Sequence, residues 1–113
     1  MFVTKNATIV AGSSITDAIL MNEFEAVGIV TGSTIVNNTL TMLGSADGIT
    51  YAPVYNSAGE YTITTQTGSA IAYNLTAVPI GFSYLKFRLG TSASSINQVG
   101  SPLNIQVITK KSE

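Results

Sequence analysis

The chain has 113 residues, 45% of them hydrophobic but only 10% charged, and a net charge of −1. Its length suits one domain that buries its own core, and because soluble domains average about 25% charged residues, its surface must be built from neutral Thr, Ser, Asn and Gly. No basic field is present to hold a phosphate backbone, which excludes nucleic acid as a partner, and the absence of Cys and His removes thiol chemistry, sulfur and imidazole metal ligands and the commonest general base.

Residues 1–6 carry neither the basic start nor the apolar run of a signal peptide, and no window approaches the 18 or so apolar residues of a membrane span. Thr8-Ile9-Val10 reads as a short strand and Gly12-Ser13-Ser14 as a turn, followed by a β-type run from Ile15 to Leu20 that Asp17 interrupts. After a break at Met21-Asn22-Glu23, Phe24 to Thr31 is mostly apolar, as expected of a strand buried on both faces or central in a sheet. Gly32-Ser33 turns the chain, and Leu40 to Ser45 forms a strand with Leu40 and Met42 on one face. Asp47-Gly48 is a hairpin dipeptide, and Ile49 to Tyr55 returns, with Pro53 confining its middle to an edge or bulge.

Asn56-Ser57-Ala58-Gly59 is a loop, Tyr61 to Thr65 alternates with Tyr61 and Ile63 on one face, and Ile71, Tyr73 and Leu75 alternate after a turn at Thr67-Gly68-Ser69. Pro79 and Gly81 bracket a loop before the clearest strand, Tyr84 to Leu89, where Leu85, Phe87 and Leu89 share one face and Tyr84, Lys86 and Arg88 the other. That pattern predicts Leu85, Phe87 and Leu89 in the core, with Lys86 and Arg88 in solvent. Gly90 to Pro102 has little pattern, Leu103, Ile105 and Val107 make the last strand, and Lys110 to Glu113 form a polar tail. No segment has a helical period. Eight or nine short strands at hairpin spacing predict an all-β fold, an antiparallel β-sandwich of jelly-roll type, as one domain over 1–113 with its ordered core at about 7–109.

Catalytic residue candidates are few. The acids are Asp17, Glu23, Glu25, Asp47, Glu60 and Glu113. Glu23 and Glu25 share one strand face, but adjacent like charges suit a solvated strand entrance better than a pair of carboxylates facing each other across a cleft. Asp47 sits where a turn favours Asp, and no acidic cluster could hold calcium. The expectation is no catalytic residue, no metal and no cofactor. Partner contacts fall instead to the aromatic and basic surface residues Tyr51, Tyr55, Tyr84, Lys86 and Arg88, since tyrosine buries area in interfaces while keeping its hydroxyl wet.

The order Ala7-Thr8-Ile9, Gly12-Ser13-Ser14-Ile15-Thr16-Asp17-Ala18, Val27-Gly28-Ile29-Val30, Ser45-Ala46-Asp47-Gly48-Ile49-Thr50-Tyr51, Tyr84-Leu85-Lys86-Phe87-Arg88 and Asn97-Gln98 resembles small jelly-roll virion proteins of tailed bacteriophages, over roughly residues 7–109. The Ser-x-Asp-Gly hairpin and the Tyr-Leu-Lys-x-Arg strand are its most specific parts, and they also echo discoidin-type and galactose-binding-like sandwiches. A Pro and an aromatic common after the third strand of the phage proteins are missing at Thr31-Gly32-Ser33-Thr34-Ile35. The resemblance implies a structural protein on the outer capsid surface of the virion. Such a capsid decoration, or cement, protein has the major capsid protein and itself, as dimer or trimer, for partners, with no membrane or nucleic acid involved. The alternative it implies is a carbohydrate-binding module of a phage tail or fibre.

Overall fold

Apolar side chains at every second position turn Leu85, Phe87 and Leu89 to the same interior as Leu103, Ile105 and Val107, and all of them are wholly buried. The computed structural model describes residues 2–22, 24–75 and 82–111. Among these every regular element is a strand: β1 (Phe2–Ile9), β2 (Ile19–Leu20), β3 (Phe24–Thr31), β4 (Thr39–Ser45), β5 (Ala52–Pro53), β6 (Tyr55–Asn56), β7 (Gly59–Glu60), β8 (Thr62–Thr64), β9 (Ile71–Asn74), β10 (Tyr84–Leu89) and β11 (Leu103–Lys111).

Two antiparallel sheets enclose the core. One has the order β1-β11-β3-β9; the other runs β2-β10-β4-β5, with β8 also paired to β4. The pairing is nested: β1 lies against β11, β2 against β10, β3 against β9, and β4 against β5 and β8. The chain is thus a long hairpin folded over on itself, with first and last strands side by side. Ile9, Ile29, Ile105 and Tyr73 from one sheet meet Leu40, Met42, Leu85 and Phe87 from the other in one apolar cluster.

β5 and β8 are two pieces of one edge strand. Leu43 faces Pro53 and Thr41 faces Thr62, while the Val54 N–H donates to Met42 O and the Tyr61 N–H to Val54 O. Residues 55–61 therefore leave the edge, form the β6–β7 hairpin and return. Pro53 sits on this edge, where its missing N–H costs no ladder bond.

Several elements differ from the sequence reading. β1 starts at Phe2, because pairing with β11 extends it past the weak pattern at Thr4-Lys5-Asn6. Only Ile19–Leu20 of the run from Ile15 is strand, Ile15 making a single bridge to Arg88. Lys110 and Lys111 belong to β11, paired to Glu25 and Phe24, and so are not a tail. Asp47-Gly48 opens a broad loop, since the next pair is Gly44 with Ala52. The Pro79–Gly81 loop, Glu23, Ser112 and Glu113 lie outside the described residues.

Candidate functional site

The alternation of β10 sends Tyr84, Lys86 and Arg88 to the outer face of the five-stranded sheet, opposite Ser45, Leu43 and Thr41 of β4. The loop after β4 supplies the rest of this surface. Its turn is set by Asp47, whose Oδ1 accepts the N–H groups of Ile49 (2.8 Å) and Thr50 (2.9 Å) and the Ser45 hydroxyl (3.0 Å). Ser45 Oγ in turn accepts the N–H of Gly48 at 2.9 Å. The Thr50 and Ile49 amides, then Ser45, hold the Asp47 carboxyl below its usual range. Gly48 has φ +79° and lies under the Tyr84 ring, whose Cε1 would stand 3.0 Å from a Cβ there; both facts make any side chain strained at this position. The loop returns Tyr51 beside β10, with Lys86 Nζ 4.4 Å from its ring centroid in a cation–π contact.

Tyr51, Tyr84 and Lys86 are therefore brought together, and all three are half-buried. Tyr55 stands apart on the β6–β7 hairpin, 62% exposed. Arg88 corrects the expectation of a solvent-facing charge, being only 8% exposed. Its Nη2 pairs with Glu60 Oε2 at 2.5 Å and its Nε donates to Thr41 Oγ1 at 3.1 Å. Glu60 reaches it because Tyr55 faces Glu60 in the hairpin that residues 55–61 form over this face. The remaining Glu60 oxygen, Oε1, accepts the Ser92 N–H and hydroxyl, both at 3.0 Å. The guanidinium is committed to an internal latch, leaving Tyr55, Tyr84 and Lys86 with the ring of Tyr51 as the surface side chains; the Tyr51 hydroxyl, expected in solvent, is buried with no hydrogen-bond partner among the described residues. Lys86 is half-buried on Tyr51, which also departs from the expected free charge.

A second feature lies at one end of the sandwich, where the loops at 10–18, 32–38 and 90–102 converge. Gln98, fully buried, ties them together. Its N–H donates to Ser13 O (2.8 Å), its carbonyl accepts the Gly12 N–H (2.7 Å), and its Nε2 donates to Thr34 O (2.6 Å) and Ser101 O (2.9 Å). Gly90, with φ +85°, starts the last of these loops; a Cβ there would fall 2.3 Å from Ser94 O. This braced end exposes Val10 (57%), Val99 (64%), Val36 and Ile96. The sequence named Gln98 only within the resemblance and gave neither its hub role nor the Glu60 latch, because the bonds of Gln98 with Gly12, Ser13 and Thr34 and those of Glu60 with Arg88 and Ser92 join segments far apart in the chain.

No group of acidic side chains able to hold a metal occurs among the described residues. The arrangement offers aromatic and aliphatic contact area, little free charge and a rigid loop end, which is the equipment of a binding surface. No protein-family model matches the chain, and no match was found among curated proteins.

Proposed function

We propose that the chain is a structural protein of a virus particle, a capsid decoration protein that bridges and stabilises neighbouring capsid subunits on the outer surface of the shell. The observation that carries this reading is the braced loop end. Aliphatic side chains in solvent cost free energy unless covered, and here Val10, Val36, Ile96 and Val99 project from loops locked by one buried glutamine. A surface already ordered before contact loses little entropy on binding, which suits a permanent protein partner.

The nested strand pairing supports a jelly-roll topology, in which paired strands wrap as a double Greek key, and so supports the resemblance to phage virion proteins. A fold of this kind hosts many functions, so the surface carries the argument. The mechanism is mechanical and non-catalytic: burial of the loop end against the major capsid protein, with copies of the chain joined along strand edges. The test is co-sedimentation with undecorated shells of the parent phage. Binding to shells but not to free capsid subunits, lost on Val99→Asp, is expected. Equal binding of the wild type and Val99→Asp overturns this surface.

A further inference from the structure

The outer face of the four-stranded sheet carries a groove of about 400 Å3 lined by Asn6, Val30, Gly32, Ala70, Asn104 and Gln106. The ladder explains its composition. Asn6 faces Gln106 and Gln106 faces Val30 across three adjacent strands, so two carboxamides and a valine form one row. One step along, Asn104 lies opposite Thr8 and beside Gly32, whose N–H donates to Asn104 O at 2.9 Å. Small residues Gly32 and Ala70 leave the depression open, and the longer amides wall it. Thr8 Oγ1 donates to Asn104 Oδ1 at 3.0 Å, which fixes that amide. Asn104 and Gln106 project from the same side of β11, about 7 Å apart.

We propose that this groove is a binding site for a neutral sugar. No charged side chain lines it, so neither an anion nor a cation finds a partner. Each carboxamide offers both a donor and an acceptor, which matches vicinal hydroxyls, where every oxygen also donates and accepts. Val30 and Ala70 supply an apolar floor for the C–H face of a sugar ring, and the spacing of Asn104 and Gln106 lets one ring touch both. The volume lies at the small end of the range for small-molecule sites. With no aromatic platform in the lining, a single site binds weakly, with a dissociation constant on the order of 1 mM. The inference is independent of capsid binding: the groove opens on a sheet face and meets the braced loop end only at Gly32, while Val10, Val36, Ile96 and Val99 do not line it.

The test uses the full chain and ligand-observed saturation-transfer NMR with glucose, galactose, mannose and N-acetylglucosamine, and with lactose and maltose to separate free monosaccharides from the ends of longer glycans. Side-chain amide signals of Asn6, Asn104 and Gln106 are followed in parallel. Saturation transfer from at least one neutral sugar, with shifts in those amides, is expected. Asn104→Ala and Gln106→Ala change exposed side chains, so each folds, and each weakens binding about tenfold; Ala70→Trp fills the groove and abolishes it. Absence of transfer from every sugar overturns the proposal, as does binding that survives Ala70→Trp or a charged sugar acid that binds better than its neutral parent.

Discussion

At the residue scale, the most consequential contact is Arg88 with Glu60. Taking two charges out of water is expensive, and here Thr41 accepts from the Arg88 Nε while Ser92 donates to the second Glu60 oxygen, which offsets part of that cost. Removing one partner strands the other. Glu60→Ala should therefore cost about 3 kcal/mol in urea unfolding, and Arg88→Met combined with Glu60→Leu should cost less than Glu60→Ala alone. A double-mutant cycle with no coupling would reduce the latch to surface decoration. Asp47 acts at the same scale through its backbone bonds. Its carboxyl titrates lower in the folded chain than in the unfolded one, where about 3.9 is usual. The contribution is thus present above about pH 3.9 and is lost as pH falls through the lower folded value. An NMR titration should place the Asp47 midpoint below the ordinary aspartate value, and Asp47→Ala should remove that low-pH component from the stability curve.

At the element scale, β1 is an edge strand of eight residues. The Thr8 N–H faces outward, since it donates to Asp17 Oδ1 at 3.1 Å. Successive residues of a strand point their backbone groups to opposite sides, so Phe2, Thr4 and Asn6 also present theirs outward, while Val3 O turns inward to accept the Thr109 hydroxyl. The usual edge guard is turned away: Lys5 Nζ sits 4.7 Å from the Phe24 ring centroid. This edge is the natural joint for the copies of the chain proposed above, two β1 strands pairing antiparallel about Thr4. Thr4→Pro removes an outward N–H and no ladder bond, so the fold should persist while light scattering shows the oligomer dissociating. An unchanged oligomer would move the joint elsewhere.

At the scale of the whole molecule, the nested pairing sets the first strand against the last, so the four-stranded sheet is complete only with both in place. The same closure braces the loop end from three directions. A protein that binds only an intact shell stabilises that shell, and a bridge gains area from several neighbours at once only in the assembled geometry. Saturating protein should raise the temperature at which undecorated shells rupture. The effect should vary little with salt, because few free charges are available to screen. A strong salt dependence would assign the contact to Lys86 and its neighbours instead.

The β10 pattern was enough to place Leu85, Phe87 and Leu89 in the core, and the run from Phe24 to Thr31 was enough to make β3 an interior strand, because alternation and apolar runs are local properties that a pleated sheet reads directly. Asp47 likewise announced its turn, since an Asx side chain bonds the backbone two and three residues on. Period alone also placed Arg88 outward, correctly for its direction, but could not tell that the β6–β7 hairpin covers that face and brings Glu60 to it. The Gln98 hub, the extension of β1 and β11 to their full lengths and the amide groove were equally beyond local reading. Each depends on which strands become neighbours, and that is decided by burial and register across the whole fold, where residues distant in the chain first come within reach of one another.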